Sequence, residues 1–192
     1  NDNWGGALAI DNTSAAVGAF PLFASSLDAA LLGELSGPHT AHFIATSDGL
    51  GLLEVYDAEL GGSARLVNFS ARTHVGTGDA ALVAGFVIAG TTSQTVLIRG
   101  VGPALASLFG IADALVDPKL EITNAAGKQF ADSNDSLSGL STIATLVGAF
   151  DVPAGGKDAT LLLTLPPGAY TAVLTGADGE AGEALIEVYE VQ

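Results

Sequence analysis

The chain has 192 residues, nearly half of them apolar, with 21 acids against 6 bases, a formal net charge of −15 and no cysteine or methionine. This balance argues against nucleic acid and anionic membranes as partners, because both demand clustered Lys and Arg. The missing thiols exclude disulfides and thiolate metal sites, and no stretch approaches the ~20 apolar residues of a membrane-spanning helix.

In chain order, the first expected element is a short helix near Thr13–Val17. Three strands should follow: Ala29–Leu35, His39–Thr46 after a turn at Ser36-Gly37-Pro38, and Leu52–Tyr56 after Ser47-Asp48-Gly49. Further strands are predicted at Arg65–Ser70, Ala81–Ala89, Thr95–Arg99 and Lys119–Thr123. Phe86-Val87-Ile88 and Val96-Leu97-Ile98 are apolar on both faces and should lie in central, covered strands. Pro103–Phe109 reads as a helix, with Pro103 at its first position and Gly110 at its stop. Asn124–Lys128 is a turn, and Thr142–Val147 has helical spacing with Ser141 as a possible N-cap. Asp158–Leu165, Ala169–Gly176 and Glu183–Val191 read as three successive antiparallel strands. Short strands punctuated by glycine and proline indicate an all-β fold, a β-sandwich or jelly-roll-like architecture with one or two short helices. Phe86, Ile88, Val96, Ile98, Leu162 and Val188 are its expected core residues.

The chain also repeats itself. Val17-Gly18-Ala19-Phe20 returns as Val147-Gly148-Ala149-Phe150, and Asp28-Ala29-Ala30-Leu31-Leu32 as Asp158-Ala159-Thr160-Leu161-Leu162. Glu54-Val55-Tyr56-Asp57 returns as Glu187-Val188-Tyr189-Glu190, and Asn1-Asp2 matches Asn134-Asp135. Residues 1–60 and 133–192 are thus two copies of one element, and 61–132 is a middle segment without a copy. Charge follows the same division. The first copy holds eight acids and no base, the middle five of each, and the last copy eight acids with Lys157 alone. Two arrangements are open: one composite domain around the single middle segment, or a first copy completed by a neighbouring chain.

Several motifs occur in a familiar order. They include Arg65-Leu66-Val67-Asn68, Val75-Gly76-Thr77-Gly78-Asp79, Gly85-Phe86-Val87-Ile88 and Thr95-Val96-Leu97-Ile98-Arg99-Gly100-Val101-Gly102-Pro103. Asp117-Pro118, Ser133-Asn134-Asp135, Leu165-Pro166-Pro167-Gly168-Ala169-Tyr170-Thr171-Ala172 and Glu187-Val188-Tyr189-Glu190 follow. Together they resemble a tandem β-sandwich repeat of large secreted or surface proteins of environmental bacteria. The resemblance covers most of residues 65–192; the first copy matches only the second half of that unit, from Asn1-Asp2-Asn3-Trp4 onward. It implies an extracellular structural or adhesive role and no catalytic residues. A chain that starts at Asn1 and lacks methionine fits a mature secreted protein whose signal peptide has been removed.

Candidate chemistry is sparse. His39, His42 and His74 are the only histidines, and surface positions account for them. Asp132, Asn134 and Asp135 offer hard oxygen ligands of the kind calcium takes, as do Asp2 with Asn3, and Asp178 with Glu180 and Glu183; none has EF-hand spacing, and solvated turns are the plainer reading. Glu54 and Glu187 recur inside apolar strands, as a pair of glycosidase carboxylates would, but duplication alone explains that. Val75–Asp79 lacks the Lys and the helix of a phosphate loop. Asn12, Asn68 and Asn134 head glycosylation sequons. Trp4 is the sole tryptophan, and with so few aromatics a glycan-binding face is disfavoured. Trp4 is expected to anchor a neighbouring unit, with Asn1, Asp2, Asn3, Leu8 and Ile10 around it. The function expected from all this is a non-enzymatic protomer of an extracellular fibre or surface array, joined to copies of itself through strand edges. The alternative is an adhesion module for glycans or another surface protein.

Overall fold

The computed structural model describes residues 1–44, 47, 49–59 and 65–192. It separates into two compact units, residues 1–66 and 67–192. No helix among the described residues is long and apolar enough to cross a membrane.

The second unit is an all-β sandwich. Its strands are β1 (Asn68–Val75), β2 (Leu82–Ile88), β3 (Gln94–Val101), β4 (Pro118–Asn124), β5 (Gln129–Ser133), β6 (Ala159–Leu165), β7 (Gly168–Gly176) and β8 (Gly182–Val191). They form two four-stranded antiparallel sheets, ordered β1-β8-β3-β6 and β2-β7-β4-β5. This order is that of a jelly roll, in which two Greek keys are wound across two facing sheets. Val96, Ile98, Ile186 and Val188 of one sheet meet Leu120, Ile122 and Leu174 of the other in the core.

Pairing in the C-terminal copy differs from expectation. β6, β7 and β8 were expected to pair in succession, yet no two of them are hydrogen-bonded neighbours. β6 pairs with β3, β7 with β2 and β4, and β8 with β1 and β3. The Pro166-Pro167 and Ala177–Gly179 turns therefore carry the chain from one sheet to the other rather than closing hairpins. Five of the six ladders join the C-terminal copy to the middle segment; the sixth is the β4–β5 hairpin.

β3 is central and covered on both faces, as its sequence implies: Val96, Leu97, Ile98 and Arg99 are all buried. β2 is not. It is an edge strand, and Val83 and Val87 face solvent because no second layer covers that side of its sheet. Of the expected core residues, Ile88, Val96, Ile98 and Val188 are buried, whereas Phe86 and Leu162 are half-buried.

Two short helices complete the unit. Helix α2 (Pro103–Phe109) has Pro103 in its first turn and ends at Gly110, whose φ of 71° suits a residue without a Cβ. Just before it, Gly102 has no room for a side chain: a Cβ there would lie 2.1 Å from the Leu115 carbonyl oxygen. Helix α3 (Ser141–Leu146) starts one residue earlier than expected, so Ser141 lies inside it and Leu140 takes the N-cap position without a side-chain bond.

The first unit is different. Helix α1 (Leu8–Val17) forms near its expected place and ends at left-handed Gly18, but it buries no residue. None of the strands expected at Ala29–Leu35, His39–Thr46 or Leu52–Tyr56 is present among the described residues; Ala45, Thr46 and Asp48 lie outside them. The C-terminal copy supplies the reason. Its three strands find their ladders in the middle segment, which is thereby occupied. Local sequence gives strand propensity, but a ladder needs a partner. Burial shows the consequence: Leu161 is 8% exposed, and its counterpart Leu31 is 84% exposed.

Truncating the sandwich core should therefore cost far more than truncating the first copy. Ile98→Ala or Leu120→Ala should lower unfolding free energy by about 2–5 kcal/mol. Leu31→Ala should change it by no more than about 0.5 kcal/mol. Urea midpoints of the full chain provide the check, and equal effects at Leu31 and Ile98 would contradict the assignment.

Candidate functional site

Alternation along β3 sends Val96 and Ile98 into the core and Leu97 and Arg99 to the outer face of the sheet. That face is covered by residues 137–154, so Arg99 is only 1% exposed. A buried guanidinium is tolerated only if its charge and its N–H groups are met. Glu187, directly across the β3–β8 ladder, meets the charge. The Arg99 Nε donates to Glu187 Oε2 at 2.8 Å, and Nη2 donates to the same oxygen. Nη1 donates to the Phe150 carbonyl, and the Phe150 ring stacks over the guanidinium with its centroid 4.3 Å from Cζ. Tyr189 completes the cradle, its hydroxyl donating to Glu187 Oε1 at 2.7 Å. Burial, the nearby Glu187 charge and that hydrogen bond push the Tyr189 phenol up to about 12.

A second carboxylate acts three residues further along the chain. Asp158, 1% exposed, accepts the Gly102 N–H at 2.9 Å and the Ala104 N–H at 3.1 Å through Oδ1. It thereby satisfies amides at the start of α2 that would otherwise lack acceptors. Its own carbonyl accepts the Ser136 hydroxyl at 2.8 Å. Arg99-Gly100-Val101-Gly102-Pro103 is thus held by four residues of the C-terminal copy: Phe150, Asp158, Glu187 and Tyr189.

All four have counterparts in the first copy, namely Phe20, Asp28, Glu54 and Tyr56. The Tyr–Glu contact is made there too, with the Tyr56 hydroxyl donating to Glu54 Oε1 at 2.9 Å. Tyr56 is 41% exposed, however, and Tyr189 only 5%. Glu54 has no ion pair among the described residues, and residues 1–60 contain no Lys or Arg. Sequence reasoning noted Glu54 and Glu187 as recurrent. It did not couple them to Arg99, the one base set among the buried residues of a central strand.

The other candidates are placed as follows. Asp132, Asn134 and Asp135 are exposed; Asp132 accepts from Gln129 Nε2 at 2.9 Å, and the Asp135 carbonyl accepts from Ser133 and Thr160. They are not gathered into a multi-carboxylate cluster. The one three-group cluster among the described residues is His74, Asp113 and Glu183, whose ligand atoms lie within 4.8 Å of one another. Sequence reading missed it because the three residues come from distant parts of the chain. Arg72 Nε lies 3.9 Å from Glu183, an unfavourable neighbour for a cation. His39 bonds the Gly37 carbonyl, and His42 is exposed.

Trp4 is 6% exposed and folded into its own unit, with Nε1 donating to the Phe23 carbonyl at 3.0 Å and Ser26 Oγ at 3.2 Å. The indole is thus covered within its own unit. Asn1, Asp2, Asn3 and Leu8 remain exposed and Ile10 half-exposed.

No family model matches the chain, and no curated protein matches it. Among solved structures, it is similar to the pre-peptidase C-terminal domain of collagenase from Bacillus anthracis, with 14% identity, a TM-score of 0.40, and coverage of 64% of this chain and 89% of that one.

The cradle generates a prediction in stability and one in pH dependence. Glu187→Gln leaves Arg99 buried without its counter-charge and should cost about 3–5 kcal/mol in urea unfolding. Tyr189 binds its proton more tightly when folded than the ordinary phenol value of 10.0. Its contribution should be fully present below that value and lost as pH rises towards about 12. Tyr189→Phe should flatten the fall of the melting temperature over that window. An unchanged alkaline profile would contradict the assignment.

Proposed function

We propose that the protein is a non-catalytic structural protomer of an extracellular fibre or surface array. The strands of one polypeptide are completed by the next, head to tail. The observation that carries this reading is the contrast between the copies. One is paired in a sandwich, and the other carries related sequences that form no ladder among the described residues. Phe23, Leu31, Leu35, Phe43, Ile44 and Leu50 are all well exposed there. Exposure of so many large apolar side chains in one unit favours an interaction role, and unpaired strand-like sequences are what β-complementation completes. A rigid, strongly acidic sandwich would then serve as the soluble body of each repeat.

Negative-stain microscopy of the native material tests the reading. Filaments or sheets with a regular repeat are expected. They should survive ~1 M salt, where the Debye length is only ~3 Å, because apolar burial is not screened as ion pairs are. Dispersed particles at every concentration would overturn the proposal.

A further inference from the structure

Three metal-binding groups of the sandwich are gathered together without bonding to one another. His74 lies near the end of β1, Asp113 in the segment between α2 and β4, and Glu183 near the start of β8. Their ligand atoms all lie within 4.8 Å of one another. No side-chain hydrogen bond or ion pair joins the three, and Arg72, 3.9 Å from Glu183, is the one ion-pair partner that any of them has among the described residues. Two carboxylates held this close repel each other, and a shared cation reverses the sign of that interaction.

The backbone fixes where the three stand. His74 lies opposite Glu183 in the β1–β8 ladder. Glu183 is also tied to the Asp113 segment in both directions. Its N–H donates to the Asp113 carbonyl at 2.8 Å, and its carbonyl accepts the Leu115 N–H at 2.8 Å. Gly182 permits this approach, since a Cβ there would lie 2.7 Å from the Asp113 carbonyl oxygen and 2.7 Å from the Leu115 nitrogen. Segments far apart in sequence are thus pinned side by side through their main chains. The His74 and Asp113 side chains are exposed and have room to turn.

From this we infer that His74, Asp113 and Glu183 form a binding site for one zinc-class divalent metal ion, ligated by an imidazole nitrogen and two carboxylate oxygens. The donor set chooses the metal. Calcium takes roughly 6–8 oxygens and gains nothing from an imidazole, whereas one nitrogen and two oxygens suit zinc and its neighbours in the transition series. Zinc bonds of ~2.0–2.2 Å put ligand atoms roughly 3.3–3.6 Å apart in a tetrahedron, so small side-chain rotations close the site. The fourth position is left to water, as in an open zinc site. Arg72 is no obstacle: its side chain is 57% exposed and swings into solvent when the ion takes Glu183. The ion clips the edge strand β1 and the 113–115 segment to β8, so its binding stabilises the second unit. All three ligands belong to that unit, which makes the site independent of the assembly proposed above.

Isothermal titration of the chelator-treated full chain with Zn2+ tests the inference. One saturable site per chain is expected, with a Kd below ~100 μM. His74→Ala, Asp113→Asn and Glu183→Gln should each weaken it at least ~10-fold, the least that disturbing even the hydrogen-bond partner of a metal ligand costs. Arg72→Gln should tighten it by up to ~5-fold, because a competing cation is removed. Asp135→Asn, an exposed acid outside the cluster, should change nothing. Glu183 is half-buried, so a readout that needs no substitution accompanies these variants. The ring resonances of His74 should shift with the first equivalent of Zn2+, while those of His39 and His42 stay in place. Absence of saturable binding would overturn the inference. So would binding that all three substitutions leave unchanged, equal weakening by Asp135→Asn, or His74 resonances that do not move, each of which would mean that Zn2+ only gathers over the acidic surface.

Discussion

A β-strand is stable only where its N–H and C=O groups meet a neighbour's, and in this protein nearly all of those meetings are between the middle segment and the C-terminal copy. β3 receives β6 and β8 on its two sides, and β7 is received between β2 and β4. Because the pairings interleave, neither the middle nor the C-terminal copy has a sheet of its own beyond the β4–β5 hairpin. The core between the sheets forms when both parts are present, and this makes the unit cooperative. The same rule explains the first copy. It carries related sequences, and none of its described residues finds a ladder on the middle segment, which β6, β7 and β8 occupy.

The Arg99 cradle fixes the register of this interleaving. Arg99 and Glu187 face each other across a ladder in the middle of the sheet. A slip of one residue would move Arg99 into the apolar core and Ile98 out of it. A buried ion pair adds little net stability compared with an apolar pair, but a misplaced one is costly. Its effect is to penalise wrong registers. Asp158 does the same at the strand-to-helix junction, where Gly102 must pass so near Leu115 that only glycine fits.

Much of this was legible in sequence, and the failures have a common cause. The apolar runs of β3, β6 and β8, the Pro103–Gly110 helix and the all-β class could be read from local pattern. β5 could not, because Gln129-Phe130-Ala131-Asp132-Ser133 is a mostly polar edge strand with no apolar alternation to mark it. Phe86-Val87-Ile88 read as central, although β2 is an edge with Val87 in solvent, because composition records apolarity and not what covers it. The partners of β6, β7 and β8 were misread as one another, since a short connection looks the same whether it closes a hairpin or crosses between sheets. Of the cradle, the recurrent Glu and Tyr were visible, and the arginine they serve was not, lying 88 residues from Glu187. Asp132, Asn134 and Asp135 stood out as oxygen ligands through proximity in sequence, whereas His74, Asp113 and Glu183 are brought together only by the fold.

Native-state hydrogen exchange on the dispersed full chain tests the central claim most directly, because it reads ladders amide by amide. The account predicts slow, cooperative exchange throughout β3, β6, β7 and β8 and fast exchange across residues 28–44 and 49–57. Protection of the first copy comparable to that of β6–β8, in a chain shown to be monomeric, would contradict the view that the middle segment makes these sequences into strands.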